Sequence, residues 1–148
     1  MSYPHLDENL DKIIRKGAQE IAYEYELDYV GTEHILLSIL RHGRGLGARI
    51  LTEYGVDEQR ARDELDRVMQ QAKEDTWVFG RLPGSPRYRN VVAQAIEEAT
   101  KLEATEIGSE HILLALLREK NSTAQRVLKG LGVTYDKCRA KIVAHAAD

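Results

Sequence analysis

Cysteine is almost missing from this sequence. Cys138 is the sole one among 148 residues, so an intrachain disulfide is impossible and a thiolate-rich zinc site lacks its ligands. That scarcity fits a reducing, cytoplasmic setting. Long apolar runs are missing too: nothing approaches the roughly 20 residues needed to span a bilayer. The start, Met1-Ser2-Tyr3-Pro4-His5-Leu6-Asp7-Glu8, lacks the charged-then-apolar build of a signal peptide. Neither membrane insertion nor export is therefore expected. An excess of Lys and Arg is also lacking. The formal charge is −3, without the clustered cations that phosphate backbones require, which disfavours nucleic acid as a partner. What remains is 43% apolar and 30% charged, the balance of a soluble globular chain. Its length suits one domain or two small ones packed together.

The strongest positive signal is internal. An offset of 77 positions lays Gly31-Thr32-Glu33-His34-Ile35-Leu36-Leu37-Ser38-Ile39-Leu40-Arg41 over Gly108-Ser109-Glu110-His111-Ile112-Leu113-Leu114-Ala115-Leu116-Leu117-Arg118, with eight of the eleven positions identical. The same offset continues through Arg49 and Arg126, Leu51 and Leu128, and Gly55-Val56 and Gly132-Val133. It exceeds the usual solenoid periods, so two copies predict an all-α domain of two four-helix repeats related by a pseudo-twofold axis. The chain divides into a first repeat at about 8–73, a linker at 74–85 and a second repeat at 86–148, together one domain over 1–148.

Leu10, Ile13, Ile14, Ala18, Ile21, Ala22 and Tyr25 recur at three- and four-residue steps, which predicts an amphipathic helix to about Glu26. Thr32 stands where an N-cap belongs, before a second helix from about Glu33 to Arg41. Gly43-Arg44-Gly45-Leu46-Gly47 interrupts it, and a short third helix follows from Ala48 to Tyr54, ended by Gly55. Asp57 caps a fourth helix that reaches about Lys73 and turns Leu65, Val68 and Met69 to the core. The second copy repeats the scheme over Arg87 to Leu102, Glu110 to Glu119, Thr123 to Leu131 and Tyr135 to Ala146. No strand is expected. Gly80, Pro83 and Gly84 mark the linker as a turn region, and Ser85-Pro86 opens the next helix. Trp77 and Phe79 in that linker either fasten it to the bundle or form an exposed docking patch.

Catalytic constellations are scarce. Gly43-Arg44-Gly45-Leu46-Gly47 lacks the lysine of a phosphate loop and follows a helix, not a strand. In Glu33-His34 and Glu110-His111 the neighbours point about a hundred degrees apart on a helix and do not converge on one ion. His34 and His111 read better as partly buried histidines bonded to backbone or to a neighbouring helix. Leu36, Leu37, Leu40 and their counterparts Leu113, Leu114, Leu117 read as core. No cofactor or metal is expected, and a small helical enzyme using the Glu-His pairs is the less favoured alternative to a non-catalytic binding module, because no nucleophile, metal set or convergent acid pair accompanies them. The helix starts are more suggestive: Gly31-Thr32-Glu33 and Gly108-Ser109-Glu110 place free N–H groups, which attract anions, beside a carboxylate, which attracts a guanidinium or ammonium group. Such a pair suits a ligand carrying both charges, or the glutamate merely complements the helix dipole.

The two motifs, each followed by a short helix and Gly-Val, resemble the Clp N-terminal repeat, and the tandem is similar to the N-terminal domain of ClpC-type AAA+ unfoldases. The resemblance spans nearly the whole chain and is weakest before Leu10 and through the linker. It implies an all-helical receptor that docks adaptor proteins and substrates for Clp ATPase and protease subunits. It also implies recognition of phosphorylated arginine, with the motif glutamate on the guanidinium and nearby hydroxyl and backbone groups on the phosphate. Carried over, the ligand-binding residues are Thr32 and Glu33 in the first copy, and Ser85, Ser109 and Glu110 in the second. In the family's threonine register the first copy has Glu8, whose charge repels phosphate, which makes the second site the better preserved one. The ATPase modules that usually follow are absent, which leaves either an excised domain or a free-standing repeat protein acting as adaptor, decoy or regulator of Clp proteolysis.

Overall fold

The computed structural model describes residues 5–26, 30–76, 85–120 and 122–146, excepting the side chains of 70–76, 85–89 and 146. Trp77, Phe79 and most of the linker lie outside the described residues. Eight helical segments follow one another among these residues: α1 (8–24), α2 (Thr32–His42), α3 (Leu46–Glu53), α4 (Glu58–Thr76), α5 (Ser85–Lys101), α6 (Ser109–Arg118), α7 (Thr123–Gly130) and α8 (Tyr135–Ala146). The expected four-plus-four arrangement is present, with α3 beginning two residues early and α4 running three residues further than the sequence suggests. Among the described residues, no helix is long and apolar enough to cross a membrane.

Helix α1 is capped by Asp7, whose Oδ1 accepts the Leu10 N–H at 2.8 Å. Its middle, Ile13–Gly17, is π-helical. There the Ile13 carbonyl accepts from the Ala18 N–H, five residues on, and also from the Ser38 hydroxyl of α2 at 2.8 Å. Gly17 permits that approach, because a Cβ there would collide with Ser38 Oγ. The counterpart α5 is α-helical throughout, with Gln94 in place of Gly17 and Ala115 in place of Ser38. Both first helices unwind at a glutamate with left-handed backbone, Glu26 at φ 59° and Glu103 at φ 55°.

Helices α2 and α6 are the buried centre. Every residue from Thr32 to Ile39 is buried, as is every residue of Ser109–Leu117 except the half-buried Glu110. Leu36, Leu37, Leu113, Leu114 and Leu117 are core as expected, and each such leucine contributes about 1.5–3 kcal/mol of burial free energy. Side chains of both repeats share one apolar cluster. Helix α4 contributes Ala61, Leu65 and Val68, at helical spacings of four and three. Met69 is a correction: it is 37% exposed, because it falls about a hundred degrees past Val68 on the helix.

The repeats interlock through their third helices. Helix α3 packs on α6 and α8 of the other copy, while α7 packs on α2 and α4. The last turn of each second helix also carries an arginine that bridges its bundle: Arg41 holds Glu24 and Glu58, and Arg118 holds Glu97 and the fully buried Glu98. The expectation of no strand also fails. His5–Leu6 pairs in parallel with Glu106–Ile107, and the Asp7 N–H donates to the Ile107 carbonyl at 2.8 Å. The extended segments entering α1 and α6 run side by side, and pairing satisfies backbone groups that would otherwise need water.

Candidate functional site

At the start of α2 the chain arrives extended, with Gly31 at φ −99° and ψ 171° as the N-cap residue. Thr32 is thus the first helical residue, not the cap its sequence position suggested. The capping contact comes from the other direction: His34 Nδ1 accepts the Gly31 N–H at 2.8 Å. His111 Nδ1 does the same for Gly108 at 2.8 Å. Each histidine does what glutamate or glutamine does at the third position of a capping box. The role requires a bare Nδ1, and burial supports it by holding the His34 pKa down at about 4. His111 is lowered by burial too, against upward pulls from Glu110, Asp7 and Glu98. Both rings are neutral at pH 7, in keeping with histidines that bond to backbone.

The two motif hydroxyls are committed across the pseudo-twofold relation. Thr32 Oγ1 accepts the N–H of Ala124, in the first turn of α7, at 3.2 Å. Ser109 Oγ accepts the N–H of Gly47, in the first turn of α3, at 2.9 Å. Each repeat therefore caps the third helix of the other. Gly47 can enter the first turn of α3 because a Cβ there would lie 2.8 Å from the Ser109 backbone. The glycine-rich stretch before Ala48 is a close-approach element, and its N–H is turned to serine rather than to a phosphate.

The motif glutamates fold back over their glycines. A Cβ on Gly31 would strike Glu33 Oε1, and one on Gly108 would strike Glu110 Oε1. Their surroundings differ. Glu33 is 4% exposed and its Oε1 has no hydrogen-bond partner. Burial raises its pKa, countered in part by a hydrogen bond from its own backbone N–H. Glu110 is half-buried and has a second carboxylate nearby, since Asp7 Oδ2 also stands 2.8 Å from the same Cβ position on Gly108.

Asp7 revises the grouping suggested by the repeat. The start of α1 lies beside the second motif, through the strand pair and the Asp7 contacts, so Asp7 belongs with Ser109 and Glu110 instead of with Thr32 and Glu33, while the next residue, Glu8, is exposed and paired with Lys12 at 3.2 Å. Ser85 opens α5, and its side chain is outside the described residues. Asp7 was missed as a site neighbour, although an aspartate three residues before Leu10 is a legible N-cap signal. Its placement against Gly108 has no local signature.

Among the described residues, no group of three or more His, Cys, Asp or Glu is placed to hold a metal ion. Cys138 is fully buried, and burial pushes its thiol up to about 12, so it is protonated at neutral pH.

The sequence pattern of the Clp repeat (R) N-terminal domain matches residues 5–131 and 84–146. The ATP-dependent Clp protease ATP-binding subunit ClpC of Staphylococcus epidermidis is 32% identical over 143 residues, which are 97% of this chain and 17% of that protein. The chaperone protein ClpB of Oceanobacillus iheyensis is 34% identical over the same shares. The chain thus spans 17% of the length of these curated relatives. In fold it is similar to the crystal structure of the N-terminal domain of the chaperone ClpD from Arabidopsis thaliana, with a TM-score of 0.74 at 22% identity over 100% of this chain and 98% of that one.

Proposed function

The chain belongs to the Clp repeat (R) N-terminal domain family, and from that premise we propose that it is a non-catalytic module that docks adaptors or substrates for Clp-dependent unfolding and proteolysis in the cytoplasm. The observation that carries this reading is the buried, unpartnered carboxylate oxygen of Glu33 at the mouth of a helix. Evolution toward stability alone favours replacing such a group. A ligand bearing a guanidinium supplies the missing donors, and an arginine side chain is the guanidinium that a polypeptide offers.

Phosphoarginine is the ligand this proposal favours, with Glu33 and Glu110 on the two guanidinium groups. Thr32 and Ser109 use their oxygens as acceptors, which leaves each hydroxyl proton to donate to a phosphate oxygen. Ser85 is proposed as a further hydroxyl donor. The two sites are expected to differ. Glu110 is the more exposed, but Asp7 beside it favours the guanidinium and opposes the phosphate. Glu33 is free of Asp7 but needs its cover displaced.

Calorimetric titration with phosphoarginine and with unmodified arginine tests the ligand. Heat that disappears in Glu33→Ala together with Glu110→Ala supports it. No heat with the unmodified chain removes phosphoarginine from the reading. Capture of Clp subunits and of arginine-phosphorylated proteins from extract tests docking separately.

A further inference from the structure

Tyr25 follows the last residue of α1 and immediately precedes the left-handed Glu26. Its backbone N–H donates to the carbonyls of Ile21 and Ala22, which fixes where the side chain leaves the helix. The half-buried phenol ring lies against His34, with centroids 5.9 Å apart and planes inclined by 37°, inside the range of attractive aromatic pairs. At its far end the Tyr25 hydroxyl accepts from Arg62 Nη1 at 3.1 Å, and Arg62 is in turn held by Glu58 at 3.0 Å and Glu24 at 3.4 Å. Contacts thus run without a break from α4 to the first motif: Arg62 to Tyr25, Tyr25 to His34, His34 Nδ1 to the Gly31 N–H, and Gly31 to the Glu33 carboxylate folded over it.

The second repeat keeps the last part of this series and lacks the first. His111 accepts the Gly108 N–H and Glu110 folds over Gly108 as in the first copy. The positions matching Glu24, Tyr25 and Glu58, however, hold Lys101, Leu102 and Tyr135, and only Arg62 has a like counterpart, Arg139. Tyr135 turns its hydroxyl to Glu98 instead. Leu102 is aliphatic, so it offers no ring to pair with His111 and no oxygen to an arginine. The two motif glutamates differ in the same sense: Glu33 is 4% exposed, whereas Glu110 is half-buried.

We propose that Tyr25 is a positioning residue of the first ligand site, holding the His34 ring so that Gly31 stays extended and the Glu33 carboxylate keeps its aim, with Arg62 fixing Tyr25 in turn. The inference rests on the reading of Glu33 as the group that meets a guanidinium. A carboxylate oriented in advance loses little freedom when the ligand arrives, whereas a loosened one must be ordered at that moment, which opposes binding. Tyr25 acts through His34 and has no need to touch the ligand. Simple filling of space at this position is a task that leucine performs in the second repeat, so the difference between the two side chains isolates the positioning role.

The test compares Tyr25→Leu and Tyr25→Phe with the parent chain. Phosphoarginine calorimetry in a Glu110→Ala background reads the first site alone, and in a Glu33→Ala background the second. Tyr25→Leu is expected to weaken the first site about tenfold and to leave the second unchanged, while Tyr25→Phe, which keeps the ring without the bond to Arg62, retains most of the affinity. Amide exchange on the ligand-free chain is expected to quicken by about the same factor at Gly31 in Tyr25→Leu and to stay parental at Gly108. Parental affinity at the first site, or parental protection of Gly31, in Tyr25→Leu overturns the assignment. So does equal loss at Gly31 and Gly108, which marks general destabilisation, or a Tyr25→Phe variant as weak as Tyr25→Leu. Leu102 occupies the matching half-buried position, so Tyr25→Leu is expected to fold, which an unfolding curve verifies. If the Glu110→Ala chain gives no heat with phosphoarginine, the ligand reading of Glu33 fails, and exchange at Gly31 still decides whether Tyr25 holds the motif.

Discussion

Thr32 and Ala124 stand 92 residues apart, and the hydroxyl of the first accepts the backbone N–H of the second at 3.2 Å in the interior. With the reciprocal bond from Gly47 to Ser109, it makes each copy of the motif a structural part of the other repeat. Thr32→Val and Ser109→Ala each leave a buried helix-start N–H without its acceptor, so each is expected to cost about 1–2 kcal/mol. Urea unfolding measures the loss. Amide exchange adds a sharper readout, since protection falls at Ala124 in the first variant and at Gly47 in the second. Equal loss of protection at both amides in either variant would count against local capping.

His34 makes stability pH-dependent. Its folded-state pKa is depressed by burial to about 4 from 6.5, so its contribution is fully present above 6.5 and is lost as pH falls toward 4. His111 acts in the same direction. Glu24 and Glu58, held below the usual carboxylate value first by Arg41, lose their contribution only below 4.5. The two windows are separable. His34→Gln keeps an acceptor for the Gly31 N–H without titrating, so it is expected to flatten the decline in unfolding free energy between pH 6.5 and 4.

Glu33 works in the opposite sense. Its raised pKa means that its contribution is present below 4.5 and is lost as pH rises and the carboxylate ionises. At pH 7 Glu33→Gln is therefore expected to stabilise the fold by about 1 kcal/mol, while removing phosphoarginine binding at the first site. Chemical unfolding and calorimetry on the same variant check both halves. A variant less stable than the parent would show that the carboxylate is satisfied in the folded chain.

Glu98 is fully buried between two partners, accepting from Arg118 Nη1 at 2.9 Å and from the Tyr135 hydroxyl at 2.7 Å. Glu98→Leu strands the Tyr135 hydroxyl and leaves Arg118 with Glu97 alone, and is expected to cost about 2–4 kcal/mol, whereas Tyr135→Phe removes one neutral donor and costs about 1 kcal/mol. A double-mutant cycle read by thermal unfolding resolves their coupling.

Glu103 holds a left-handed backbone at φ 55° at the end of α5. Glycine adopts that region without the Cβ penalty, so Glu103→Gly is expected to gain about 1 kcal/mol, visible as a higher melting temperature. Glu26→Gly at the matching position should behave alike.

Much of this architecture was legible in the chain. Helices were readable because apolar residues at three- and four-residue steps dictate which face is buried, and the 77-residue offset showed that two copies share one plan. The histidines were legible as structural, since their neighbours form no convergent set. Tertiary structure alone decided what the motif hydroxyls do. Thr32 and Ser109 resemble local N-caps, yet their acceptors serve Ala124 and Gly47, because the third helices cross into the partner repeat and bring a distant free N–H within reach. It also decided that Asp7 stands at the second motif and that Met69 faces outward. Local periodicity specifies which way a side chain points on its own helix. It carries no information about which distant backbone group will meet that side chain, because that depends on how two whole bundles pack.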